Sequence, residues 1–182
     1  MRLVRSAPSE DPAKQGWDLQ AEFNVTLPNR LAELARATPI YFVMDWRMTR
    51  PRWYWRDARL AQGQLFWRLS HNPITQQWRM SPASTTLLND ARFAISYDSL
   101  DEALAPLRRI RRDGLVQSDA LEAGERYELH ARLRLDTTQL PKPFQINAIT
   151  NQDWAIDSGT IVSSVIAAAP VSGFVPAPAP AK

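Results

Sequence analysis

Between Trp17 and Leu27 apolar and polar residues alternate without a break. Trp17, Leu19, Ala21, Phe23, Val25 and Leu27 alternate with Asp18, Gln20, Glu22, Asn24 and Thr26. Successive side chains of a strand point to opposite faces, so this period of two builds a strand with one buried side. The pattern recurs near the other end of the chain. There Tyr127, Leu129, Ala131, Leu133 and Leu135 alternate with Glu128, His130, Arg132, Arg134 and Asp136. A slip of one residue would turn either apolar set to water, so these two strands hold a firm register. A fold for this chain must give both of them one wet face and one dry face.

Weaker strand patterns lie between them. In Ile40 to Met48, Phe42, Met44, Trp46 and Met48 share one face, and Tyr41, Val43, Asp45 and Arg47 share the other. Arg50-Pro51 interrupts that strand at a turn or an edge bulge. Trp53 to Ala61 reads as the next strand, Gln62-Gly63 as its turn, and Leu65, Trp67 and Leu69 as one face of the strand after it. Asn72-Pro73 turns the chain into a strand over Gln76 to Ser81. Phe93, Ile95 and Tyr97 alternate in another, and Gln145 to Ile149 and Trp154 to Asp157 read as closing strands. Two helices are expected. One opens at Pro28-Asn29, carries Leu31, Leu34 and Ala35 on one side, and stops at Thr38-Pro39, because the residue before proline avoids helical backbone. The other opens on the capping box Ser99-Leu-Asp-Glu102 and runs through Leu100, Ala103, Leu104, Leu107 and Ile110, kinked at Pro106 and stopped by Gly114. Leu140-Pro-Lys-Pro-Phe144 reads as extended, with Leu140 and Phe144 buried. The fold class is α+β: a mainly antiparallel twisted sheet or β-sandwich of roughly seven to nine strands with two helices. Its expected extent is a single globular domain over 16–166. Residues 1–15 read as a disordered N-terminal segment and 167–182 as a disordered Ala/Pro-rich tail.

The chain has no cysteine, which removes disulfides, thiolate catalysis and cysteine metal sites. The first fifteen residues lack the apolar core of a signal peptide. The longest apolar run, Ile161 to Ala169, falls far short of the roughly 20 residues that span a bilayer. The histidines are His71 and His130, and neither sits in an H-E-x-x-H, G-x-S-x-G or Gly-rich phosphate motif. A two-histidine metal site would need a carboxylate such as Asp136 brought close. Asp45 and Asp57 could pair as acid and base. They could equally bind Arg47, Arg56 or Arg59 across the strands, and we favour that structural role. No catalytic residue, no metal and no cofactor is assigned from the sequence.

The basic residues define a candidate interaction surface. Arg50, Arg52, Arg56 and Arg59 interleave with Trp53, Tyr54 and Trp55, a pattern that can bind single-stranded nucleic acid by stacking and phosphate contact. Strand alternation splits it, placing Trp53 and Trp55 toward the core and Tyr54 and Arg56 on the opposite side. Arg68, Arg92, Arg132 and Arg134 extend the arginine side into a stripe. The net charge of +3 and pI of about 9.6 are modest for a dedicated nucleic-acid binder. Arg108, Arg109, Arg111 and Arg112 read as closing a helix, where cations complement the C-terminal partial charge.

Several stretches together resemble a known family. They are R-P-R-W-Y-W-R-D at 50–57, R-L-S-H-N-P-I-T-Q-Q-W-R at 68–79, S-L-D-E-A-L at 99–104, R-L-R-L-D-T-T-Q-L-P-K-P-F-Q at 132–145 and D-W-A-I-D-S-G at 153–159. This is similar to an uncharacterised proteobacterial domain of unknown function of the DUF4390 type, often labelled "proline-rich signal peptide protein". Its structural hallmark falls here on Trp53, Tyr54, Trp55, Asp57, Asp136, Leu140, Pro141, Pro143, Phe144 and Trp154. The resemblance implies a small exported protein, usually made with an N-terminal leader and encoded beside a membrane sensor kinase of the nitrogen-regulation type. The present sequence departs from the pattern in lacking a leader, and in Thr160, where an aromatic would be expected. On this basis the expected function is a non-enzymatic binding or accessory domain at the cell envelope or periplasm, with a protein partner there and a link to sensor-kinase signalling. The alternatives are a cytosolic single-stranded nucleic-acid binder using the arginine face, and a small-ligand-binding protein or hydrolase. The family carries no activity, cofactor or catalytic residue across.

Overall fold

The computed structural model describes residues 2–5, 16–51, 58–83, 93–117, 121–122, 124–145 and 156–166. In chain order the elements are β1 (Arg2–Arg5), β2 (Gly16–Glu22), α1 (Asn29–Ala37), β3 (Ile40–Arg50), β4 (Ala58–Asn72) and β5 (Gln77–Ala83). They continue with β6 (Ile95–Tyr97), α2 (Leu100–Arg108), β7 (Arg109–Gln117), β8 (Arg126–Leu135), a 3-10 turn at Thr137–Gln139, and β9 (Ile161–Ile166). The strands form a three-stranded sheet in the order β1-β2-β7 and a six-stranded sheet in the order β6-β5-β4-β3-β8-β9. Every pairing is antiparallel. The fold is thus α+β and antiparallel, as the alternation patterns require.

Both strongly alternating segments deliver their apolar face to one core. Leu19, Ala21, Phe23, Val25 and Leu27 are buried, and so are Tyr127, Leu129, Ala131, Leu133 and Leu135. Phe42, Met44, Trp46 and Met48 of β3 join them, with Leu31, Leu34 and Ala35 of α1 and Ala103, Leu104 and Leu107 of α2. The helix boundaries follow local chemistry. The Thr38 N–H closes α1 on the Leu34 carbonyl just before Pro39, and the Ser99 hydroxyl accepts from the Glu102 N–H at 3.2 Å to open α2. At Asn72-Pro73 the Asn72 side chain accepts the Ile74 N–H at 2.9 Å, fixing the turn into β5.

Several expectations give way. Gln62-Gly63 is no turn: β4 runs unbroken through it, and Gly63 lies directly opposite Trp46. There the missing side chain makes room for the Trp46 indole, so the glycine answers a packing need. Helix α2 stops at Arg108 and the chain continues as a strand. Pro106 supplies no N–H to the Glu102 carbonyl and so weakens the last turn of α2, whereas β7 gains a ladder against β2. Ile110 is buried from that strand. Gly114 sits in β7 with φ of 62°, inside a bulge between the pairs Trp17↔Val116 and Leu19↔Arg112. The Asp18 carboxylate steadies the bulge by accepting the Gly114 N–H at 2.9 Å.

Leu140 is extended as expected, but the stretch does not stay extended to Phe144. The Phe144 N–H bonds the Pro141 carbonyl at 2.8 Å in a short helical turn over 142–145. Prolines suit a first turn, because the N–H groups they lack would have no partner there. Leu140 is buried and Phe144 packs against the core as expected. Gln145 belongs to this turn, and Asp157 makes an isolated bridge to Arg134, while the remainder of the two expected closing strands lies outside the described residues. The strand that closes the large sheet is β9, paired along β8. Arg2–Arg5, set aside in the disordered N-terminal segment, forms β1 against β2. Phe93 precedes β6 and is exposed. The expected strand over 53–57, residues 146–155 and the Ala/Pro-rich tail lie outside the described residues.

Candidate functional site

β3 and β4 pair from Ile40↔Leu69 to Arg50↔Ala58, whereas β5 covers only Phe66 to Asn72 on the other edge of β4. Among the described residues, no strand pairs with that edge over 58–65. Such an edge presents N–H and C=O groups able to bond an added strand. A cleft of about 1000 Å³ surrounds it. Gln62, Gly63, Gln64 and Leu65 supply the edge itself, while Asp45, Arg47, His130 and Arg132 line the cleft from the polar face of the sheet. Trp46 and Trp67 line it from the core side, and β7 contributes Arg111 and Arg112.

Alternation puts charge on this face, and register decides which charges are neutralised. Asp45 accepts from Gln64 Nε2 at 2.6 Å and from Arg134 Nε at 2.9 Å. Arg132 grips both oxygens of Asp157, with Nε to Oδ1 at 2.8 Å and Nη2 to Oδ2. That two-pronged bond holds the Asp157 carboxyl below the usual carboxylate range, assisted by the Gly159 N–H, and raises the Arg132 guanidinium above its ordinary value. His130 Nε2 lies 3.5 Å from both Thr49 Oγ1 and Glu128 Oε2. Among the described residues, no ion pair engages Arg47 or Arg112. These two cations are therefore the charges of the cleft left uncompensated.

The expected arginine stripe is assembled only in part. Arg68, Arg132 and Arg134 do share the polar face of the large sheet, on β4 and β8. Arg132 and Arg134 are nonetheless committed to Asp157 and Asp45. Arg50 leaves the stripe and binds Glu122 at 3.2 Å and Glu125 at 3.1 Å. Arg59 lies opposite Thr49 in the ladder. Arg52, Arg56, Arg92, Trp53, Tyr54, Trp55, Asp57 and Trp154 lie outside the described residues. Asp136 caps the 3-10 turn through the Thr138 N–H at 3.1 Å and hydroxyl at 2.6 Å.

The run expected at a helix end divides. Arg108 alone closes α2, bonded to Asp101 at 2.5 Å and to the Val25 carbonyl at 3.2 Å, while Arg109, Arg111 and Arg112 are strand residues. Assigning Arg112 to a helix is why its place in the cleft escaped the sequence reading. Arg47 carries a signal in the sequence, since it alternates with the core residues Trp46 and Met48, but the pattern alone offers it only Asp45 or Asp57 as partners. The two histidines do not meet. His71 packs against Trp78, with ring centroids 4.8 Å apart, whereas His130 stands on the opposite face, roughly 30 Å away along the strands. Among the described residues, no group of three His, Asp or Glu side chains could hold a metal ion, and no helix is long and apolar enough to cross a membrane.

The sequence matches the family described as "Domain of unknown function (DUF4390)" over residues 4–163, so the chain belongs to that family. No curated protein and no solved structure matches the chain.

Proposed function

We propose that this chain is a non-enzymatic binding domain acting at the bacterial cell envelope, an accessory to a sensor-kinase signalling system. Its partner is a protein that presents an extended, acidic segment to the β4 edge. The observation that carries this reading is the edge over 58–65, unpaired among the described residues and flanked in one cleft by Arg47 and Arg112, which have no carboxylate partner among those residues. An added strand would draw affinity from main-chain hydrogen bonds, and acidic side chains beside the two guanidiniums would fix its register. The envelope setting rests on the family resemblance.

Capture from detergent-solubilised envelope fractions tests it. Immobilised parent protein is expected to retain a membrane or periplasmic protein that the double variant Arg47→Glu/Arg112→Glu loses, with both proteins giving the same circular dichroism. Recovery of no such protein, or equal recovery by the charge-reversed variant, would overturn the reading. Nucleic acid is the second reading, supported by the shared face of Arg47, Arg68, Arg132 and Arg134. It is the weaker one, because phosphates would have to displace Asp157 and Asp45. Salt-dependent binding of a fluorescent oligonucleotide would favour it.

A further inference from the structure

A second pocket, of about 290 Å³, opens where α1 hands over to β3 and β4 approaches its turn. Thr38, Arg68, Ser70, His71, Arg79 and Ser81 contribute its polar lining. The β4–β5 register sets Arg68 opposite Ser81 and Ser70 opposite Arg79. The two arginines are therefore diagonal neighbours on one face, roughly 7–8 Å apart at the backbone and well within reach of each other's long side chains. No aspartate or glutamate occurs among the described residues of the lining.

Among the described residues the Arg68 side chain has no acidic partner. Its Nε is buried and has no hydrogen-bond partner. Arg79 makes one long bond, from Nε to Ser96 Oγ at 3.4 Å. A guanidinium stays charged at any physiological pH, and a buried donor without an acceptor is disfavoured. Two such groups side by side also repel each other. A single species would relieve both conditions: an anion rich in acceptors and compact enough for the pocket. A tetrahedral oxyanion fits, since arginine forks match its oxygens and the hydroxyls of Thr38, Ser70 and Ser81 can donate to those that remain.

We propose that this pocket binds a small oxyanion, either free phosphate or the phosphate group of a small phosphomonoester. The site is separate from the β4 edge and does not depend on the cleft's role. Titration calorimetry of inorganic phosphate into the full chain, at low ionic strength in chloride buffer, tests it. Saturable binding is expected, together with a phosphate-dependent rise in Tm. Arg68→Met, which keeps the packing of the stem, and Arg79→Ala, at an exposed position, should each weaken binding roughly tenfold or more. Arg30→Ala, on α1 away from the pocket, should leave it unchanged. Absence of saturable phosphate binding, or undiminished affinity in Arg79→Ala and in a folded Arg68→Met, overturns the proposal. Glycerol 3-phosphate separates the two sources: tighter binding than free phosphate assigns the site to a phosphomonoester, and weaker binding assigns it to the free anion. Loss of phosphate binding with retained envelope capture would sink this inference alone.

Discussion

At Gly63 a Cβ would lie 2.9 Å from Trp46 Nε1 and 3.0 Å from its Cζ2. The Trp46 ring is buried in the core, so it cannot swing aside as a surface side chain would. Gly63→Ala is therefore expected to destabilise the protein by about 1–3 kcal/mol, the usual cost of forcing atoms into a filled site. An unchanged urea midpoint would refute that. A second residue prediction concerns acid. The folded state depresses the pKa of Asp157, chiefly through the Arg132 bond. A depressed carboxyl stabilises the fold above its unfolded pKa of about 3.9, and that contribution disappears as pH falls through the lower folded value. Asp157→Asn should thus be less stable than the parent at pH 6, and the gap should close in acid. A gap that is constant from pH 6 down to pH 2 would contradict the assignment. Both features show where residue-level reading succeeds and where it stops. Alternation placed Trp46 on the dry face and Arg132 on the wet one, but neither the opposite residue nor the ion partner can be read without register. Gly63 looked like a turn because glycine next to a polar residue signals turns more often than it signals a close ring.

Helix α2 shows the same division at the level of an element. Its start was legible because the Ser99 hydroxyl and the Glu102 N–H are only three residues apart, and such a cap is decided locally. Ser99→Ala should cost about 1 kcal/mol, read as a lowered midpoint in thermal or urea unfolding. No shift in either measurement would show that the cap adds nothing in this setting. The end of α2 was not legible, because Leu107 and Ile110 keep helical spacing across a boundary that β2 imposes from a distant part of the chain. The helical spacing and a strand pairing competed for Arg109 to Arg112, and the pairing prevailed beyond Pro106. That outcome brought Arg111 and Arg112 to the cleft. The Pro141–Phe144 turn was misread for a related reason. Proline fixes only one dihedral angle, compatible with both extended chain and a first helical turn, and the contacts of Leu140 and Phe144 select the turn.

At the scale of the molecule the sequence pattern identified strands without ordering them. The order β6-β5-β4-β3-β8-β9 joins segments far apart in sequence, and no local signal encodes that β8 rather than β2 lies beside β3. The consequence reaches function, since among the described residues the β4 edge over 58–65 extends past its pairing with β5, a matter of order and length. Core continuity is the other molecular property. Leu19 of the small sheet, Met44 and Leu133 of the large one, and Leu34 and Leu107 of the helices belong to a single buried cluster. Neither sheet therefore has a dry interior of its own, and removing the three-stranded sheet would expose β3 and β8 to water. If that is so, damage in the small sheet must unfold both. Leu19 is fully buried, so Leu19→Ala should cost about 2–5 kcal/mol through lost burial and the cavity left behind. In a Trp17→Phe background, which removes the tryptophan of β2 and keeps Trp46, Trp67 and Trp78 of the large sheet as reporters, the transition followed by tryptophan fluorescence should shift together with the far-ultraviolet dichroism of the whole chain. Two separate transitions, with the fluorescence midpoint unmoved, would mean that the six-stranded sheet folds independently and that the cleft does not need Arg111 and Arg112 held beside it.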